Sequence, residues 1–182
     1  MFFMVEMKIQ HSFGKISVEK NADEDAAFML TNRNGSYAFL RQNPSSRYEG
    51  IFLFEDMRMY RFIENISILG GNNLKKIKNR FYCIEREWDN ANEKFFFPKN
   101  FSSLVYELNA EKEIDIFLDC KDSYDNRDYG RHYDIFEEDS CIVVRFTKRT
   151  DDREDLTSGM EQYVLYLAIK FQGLNCKKIE KW

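Results

Sequence analysis

TNRNGSYAFLRQNPSSRYEGIFLF, residues 31–54, holds a turn dipeptide, a polar loop and two apolar runs in the order that a β-meander requires. Asn34-Gly35 is the strongest short hairpin signal in the chain, because both residue types tolerate the positive φ of a tight turn between twisted strands. It divides a strand over 26–31 from one over 36–41. QNPSSR then turns the chain into a third strand, GIFLF, and leaves Arg47 and Tyr48 at the mouth of the loop.

The same pattern extends in both directions. Aromatic residues make up 16% of the chain, with 17 Phe and 10 Tyr, and rings suit a pleated, half-buried surface. In EIDIFLDC, Ile114, Ile116 and Leu118 fall on one face while Asp115, Phe117 and Asp119 fall on the other, the period of a strand covered on one side. Residues 131–137 and 141–147 alternate similarly. EQYVLYLAIKF is apolar on both faces and is expected to be a central strand between two layers. Further strands are expected over 2–9, 14–19, 50–55, 58–69, 76–88 and 101–108. NAEKE should join 101–108 to 112–119 as a hairpin, and EEDS should join 131–137 to 141–147. The acidic stretch 151–158 offers one short helical turn, capped by Thr150 or Asp151 ahead of Glu154. About a dozen antiparallel strands at this spacing predict an all-β sandwich. Only two prolines and no Ser/Gly-rich linker occur, so residues 1–182 are expected to form a single domain.

Charge and cysteine usage narrow the partners. A formal net charge of −4 supplies no global positive field for nucleic acid or an anionic membrane. The one basic cluster, LKKIKNRF at 74–81, alternates with apolar residues and is expected to be a solvated strand face. Cys83, Cys120, Cys141 and Cys176 are dispersed without a CxxC pair, as free thiols in a reducing compartment would be. The opening MFFMVEMKI lacks a basic n-region and a small-residue cleavage site, and no apolar run approaches the roughly 18 to 20 residues that span a bilayer. A cytoplasmic protein is expected, with no cofactor, no nucleic acid and no membrane.

Leu30-Thr31-Asn32, Gly35, Tyr37 and then Arg47-Tyr48-x-Gly50-Ile51 carry a resemblance. This order resembles the opening of the bacterial and archaeal type of glycogen debranching enzyme, the amylo-alpha-1,6-glucosidase family, whose pattern reads L-T-N-G-x-G-G-Y-A, a spacer, then R-Y-H-G-L. DCKDSYDNRDYGRHYDIF at 119–136, IVVRFTK at 142–148 and DDREDLTSGMEQYVLYLAI at 151–169 are similar to the later half of the same N-terminal domain. Together the two patches cover about half of the chain. The resemblance implies a β-supersandwich beside a separate (α/α) barrel whose carboxylates cleave the α-1,6 branch, in cis or in trans. This chain ends before any such barrel, so a non-catalytic accessory domain is expected. Three positions depart from the pattern: Arg33 and Ser36 replace glycines, and Glu49 replaces the histidine before Gly50.

Sugar recognition needs an aromatic face for the pyranose C–H surface and planar groups that fork hydroxyls. Tyr37, Arg47, Tyr48 and Glu49 supply that chemistry around one hairpin mouth and are the candidate α-glucan contacts. The alternative is that Tyr37 and Tyr48 pack the core and Arg47 answers a nearby acid. Asp119, Asp122, Asp125, Asp128 and Asp134 are numerous enough for a glycosidase pair, but they lie among Lys121, Arg127 and Arg131 with no phase that joins a chosen two. They are expected to form a salt-bridged loop, without the alternate-position spacing of a calcium loop. His11 and His132 have no nucleophile motif near them. Two further classes stay open: a free-standing carbohydrate-binding module, and a protein-interaction domain docking through the rings of KFFFPKNF, Phe95, Phe96 and Phe97.

Overall fold

The computed structural model describes residues 17–21, 26–70, 73–99, 101–138, 140–149 and 160–173. Thirteen strands and no helix occur among them. The first nine are β1 (Val18–Asn21), β2 (Ala27–Thr31), β3 (Tyr37–Arg41), β4 (Gly50–Glu55), β5 (Arg58–Ile68), β6 (Leu74–Asn79), β7 (Ile84–Trp88), β8 (Asn92–Phe96) and β9 (Val105–Asn109). β10 (Ile114–Asp122), β11 (Arg131–Glu138), β12 (Cys141–Arg149) and β13 (Glu161–Lys170) follow. They form three antiparallel sheets, ordered β1-β6-β7-β8-β9, β10-β5-β4-β3-β2 and β11-β12-β13. The all-β sandwich expected from the sequence is the fold observed. The strand over 2–9, His11, the turn over 151–158 and Cys176 lie outside the described residues.

Alternation decides what each sheet buries. On the second sheet Phe28, Leu30, Ala38, Leu40 and Ile51 point inward. They meet Leu74, Ile77, Ile84 and Phe95 of the first sheet in one continuous core, with the Phe28 and Phe95 rings 5.3 Å apart. The third sheet closes on the free edge of β10. Phe146 and Leu165 join the core, the Tyr60 and Tyr163 rings lie 5.8 Å apart, and two tyrosine hydroxyls cap the edge. The backbone N–H of Cys120 donates to Tyr133 Oη at 3.0 Å and that of Asp122 to Tyr163 Oη at 3.0 Å. Donors that would otherwise template another strand are thereby consumed.

A charged group sits inside the apolar core. Arg86, inward-facing on β7, donates to Glu93 of β8 from Nε at 2.7 Å and from Nη2 at 2.8 Å, and both side chains are buried. Trp88 Nε1 at 2.5 Å and Tyr106 Oη at 2.8 Å donate to the same carboxylate, while Arg86 Nη2 reaches across to the Ile66 carbonyl at 3.4 Å. The guanidinium also lies 4.9 Å from the Phe95 ring centroid. Burial and the Glu93 charge push the Tyr106 phenol well above its ordinary pKa, so it stays a donor.

Four details correct the sequence expectations. Residues 76–88 are two strands, because Phe81 adopts φ 72° and its N–H donates to Asn79 Oδ1 at 2.8 Å, which reverses the chain. Asn92–Phe96, not among the predicted strands, pairs between β7 and β9. NAEKE is a crossover between sheets: β9 edges the first sheet, whereas Ile114, Ile116 and Leu118 of β10 register with Ile68, Ile66 and Ile63 of the long β5. EQYVLYLAIKF is an edge strand, with Tyr163, Leu165 and Leu167 turned to the core and Tyr166 exposed. The EEDS hairpin between β11 and β12 forms as expected.

Removing one member of the Arg86–Glu93 pair should cost about 3–5 kcal/mol, since it strands a buried charge. Urea unfolding of Glu93→Ala and Arg86→Ala measures this. The double replacement Arg86→Met with Glu93→Leu should lose much less than the sum of the single losses.

Candidate functional site

The outward face of the second sheet carries the 30–51 pattern. Cross-strand register aligns Tyr37 with Phe52, Phe52 with Arg61 and Arg61 with Lys121, so one row runs from β3 to β10. Phe52 is buried although it faces outward, because Tyr37 stacks on it at 4.6 Å and the Arg61 guanidinium lies 6.0 Å from its centroid. Gly50 allows this. At φ 126°, a Cβ there would collide with the Ile63 carbonyl oxygen and lie 2.8 Å from Arg61 Nε.

The hairpin that opens this face uses its glycine and not its asparagine. Gly35 has φ 96°, while Asn32 does the capping: its Oδ1 accepts the N–H groups of Asn34 at 3.0 Å and Ser36 at 2.9 Å. Ser36 is buried, and its hydroxyl accepts the Phe54 N–H at 3.0 Å, which ties β4 to the turn.

Three of the four predicted residues meet at the loop mouth. Tyr48 is half exposed, and Arg47 folds over it, with Cζ 4.8 Å from the ring centroid and Nη2 donating to Tyr48 Oη at 2.6 Å. The Tyr37 hydroxyl donates to the Tyr48 carbonyl at 3.5 Å, and burial raises the pKa of that phenol. Glu49 turns the other way. It is 1% exposed, accepts the Ser45 N–H at 2.8 Å and the Ser45 hydroxyl at 3.3 Å, and has Arg41 Nε 3.1 Å away. This carboxylate clasps the loop, with its oxygens directed away from solvent.

Arg47 Nη1 donates to Asn126 Oδ1 at 2.8 Å, which brings in the 122–130 loop, a stretch from which the sequence reading named no sugar contact. Lys148 organises this loop from beneath. It is fully buried; its Nζ donates to the Tyr129 carbonyl and, at 3.1 Å, to the Arg127 carbonyl, and it lies 3.5 Å from Asp125 Oδ2. Burial pushes the Lys148 pKa down. The alternation Ile142, Val144, Phe146, Lys148 places this lysine on the buried face, and that was the signal available in the sequence. Asp125 in turn accepts the Arg127 backbone N–H at 3.0 Å and Nε at 2.9 Å.

Four of the five candidate acids pair with cations, whereas Asp122 Oδ1 accepts the Tyr124 N–H. Asp119 lies 2.5 Å from Arg61 Nη1, 2.7 Å from Lys121 Nζ and 2.8 Å from Arg131 Nη1. Burial raises the Asp119 pKa, but the three cations, Lys121 foremost, outweigh it and bring it below its ordinary value. Asp128 pairs with Arg131 and Asp134 with Arg145. Asp119 and Asp125 are thus held ionised, the opposite of the raised proton donor that glycoside hydrolysis uses. Among the described residues no group of three or more His, Cys, Asp or Glu could hold a metal ion.

The remaining predicted features resolve without a site. Lys75, Lys76, Lys78 and Arg80 each pair with an acid, namely Asp89, Glu19, Glu19 and Glu85. Phe95 is fully buried, Phe97 packs on the core, and Phe96 is half-buried with Lys94 Nζ 5.2 Å from its centroid, so the three consecutive rings present no exposed face; the exposed ring of KFFFPKNF is Phe101. Cys83, Cys120 and Cys141 are free thiols, and burial pushes Cys120 up to about 12.

Asp125 predicts an acid-sensitive loop. Burial pushes its carboxyl upward, but the bonds from Arg127 and the Lys148 charge prevail and set it near 2, against about 3.9 unfolded. A depressed carboxyl stabilises the fold fully above the unfolded value and loses that contribution as pH falls towards the folded one. The stability gap between wild type and Asp125→Asn should therefore be widest above pH ~4 and close towards pH ~2, as read by urea unfolding. No family model, curated protein or solved structure matches the chain.

Proposed function

We propose that this chain is the accessory, non-catalytic β-sandwich of a cytoplasmic debranching-type glucosidase. It packs beside a helical-barrel catalytic domain, in cis or in trans, and contributes an α-glucan contact through Tyr37, Arg47 and Tyr48. The observation that carries this reading is the Arg47–Asn126 hydrogen bond. It joins the two sequence patches that resemble the debranching family, one at residues 30–51 and the other beginning at 119. Arg61, beyond the first patch on β5, also bonds Asp119 at the start of the second.

The chemistry at the loop mouth fits a sugar better than it fits catalysis. Tyr48 offers a half-exposed ring, and Arg47 adds a planar donor whose position is fixed by two hydrogen bonds. Asp119, Asp125 and Asp128 have guanidinium or ammonium partners, which favours recognition over catalysis. The Glu49 departure from the family's histidine removes no exposed group here, because Glu49 holds Ser45 and Arg41 inside the loop.

Titration of the purified chain with maltoheptaose, followed by tyrosine fluorescence, should saturate. Tyr48→Ala should weaken binding about tenfold, the loss expected for one stacking ring. Hydrolysis of branched α-glucan by the chain alone, or no saturation at millimolar sugar, would sink the proposal.

A further inference from the structure

An open hollow of about 680 Å³ lies beside the Arg47–Asn126 bridge, where the 122–127 loop meets the starts of β5 and β13. Arg58, Asp122, Tyr124, Asn126, Arg127 and Gln162 line it. The volume falls in the range of small-molecule sites, and the open side suits a chain that enters and leaves.

Its lining combines a free ring with unspent planar groups. Tyr124 is 92% exposed, yet its backbone is fixed, because its N–H donates to Asp122 Oδ1 at 2.9 Å and the Asp125 N–H donates to the Asp122 carbonyl at 2.9 Å. A ring on a fixed backbone can stack at low ordering cost. Gln162 accepts one bond at Oε1, from Arg127 Nη2 at 3.2 Å, and keeps its amide hydrogens for a ligand. Tyr163 Oη accepts the Asp122 N–H and keeps its own hydrogen. Arg58 has no acid or hydrogen-bond partner among the described residues.

Charge selects the ligand class. Arg127 is neutralised by Asp125, which leaves one cation, Arg58, and one anion, Asp122, on the walls. A polyanion would find no net field here, whereas a neutral polyol meets donors, acceptors and a ring.

We propose that this hollow is a second saccharide-binding subsite, continuous with the Tyr48 mouth through Asn126, so that one oligosaccharide chain spans both rings. The proposal rests on the α-glucan reading given above. It adds Arg58, Tyr124 and Gln162 as ligand contacts, with Asn126 shared between the two subsites. Lys148 is the positioning residue, since it anchors the carbonyls of the loop that carries Tyr124 and Asn126.

Calorimetric titration of the whole chain with maltose and with maltoheptaose tests this. Wild type should bind the longer sugar at least about tenfold more tightly, because only the longer chain reaches both rings. Tyr124→Ala, and separately Arg58→Ala with Gln162→Ala, should each weaken maltoheptaose binding about fivefold to tenfold, a loss typical of one or two solvent-accessible hydrogen bonds or one stacked ring. Neither should change maltose binding at the Tyr48 mouth. All three positions are exposed, so circular dichroism should stay that of wild type. Unchanged maltoheptaose affinity in these variants, with Tyr48→Ala still defective, would overturn the second subsite and leave the accessory-domain reading standing. Failure of wild type to bind either sugar would overturn both.

Discussion

A buried carboxylate shared by four donors dictates how the two large sheets meet. Glu93 receives Arg86, Trp88 and Tyr106 from within its own sheet, and Arg86 extends the network to the Ile66 carbonyl of the opposite sheet. An ion pair in an apolar core adds little net stability over well-packed apolar residues, but a misplaced one is severely penalised. The fork geometry of the guanidinium therefore restricts the register in which β7 and β8 can face β5. Phe28, Phe95 and Trp88 surround the guanidinium at 4.9 to 5.9 Å from their centroids and keep water out.

The two outer faces of the sandwich differ in a way that separates scaffold from site. On the first sheet, register aligns Glu19, Lys78, Glu85, Lys94 and Glu107 into one rung of alternating charge across five strands. Lys78 and Lys76 hold Glu19, lowering its carboxyl to about 2, and Lys94 holds Glu107. Opposite charges thus face one another strand by strand, the cross-strand pairing that supports a solvated sheet face. The second sheet's outer face instead buries Phe52 beneath Tyr37 and Arg61 against Asp119, while Tyr48 and Tyr124 reach solvent. Recognition chemistry accumulates where loops from distant sequence segments meet over a rigid face.

How far the sequence could be read depends on the range of the interaction. The β2–β3–β4 meander was legible because Gly35, Gly50 and the alternation around them act over a few residues. The 76–88 run misled because its ring-rich Phe81-Tyr82 corner has high strand propensity, while the turn is made by an asparagine carbonyl two residues back. NAEKE looked like a hairpin because loop length and composition do not encode which sheet receives the next strand. At the candidate site, Tyr37, Arg47 and Tyr48 were visible as chemistry. The inward turn of Glu49 was not, since a carboxylate beside an arginine and a tyrosine reads the same whether it faces solvent or its own loop.

The sequence by itself determined an antiparallel β-sandwich, its first meander, its buried alternation and the residue types at the loop mouth, because periodicity and turn chemistry are local. Only the tertiary structure decided that Asn126 comes under Arg47, that Lys148 is spent on holding a loop, and that Asp119 is shared by three cations. Those outcomes depend on strand order and on contacts between residues far apart in the chain. No local pattern specifies them, because burial and charge pairing are properties of the assembled layers.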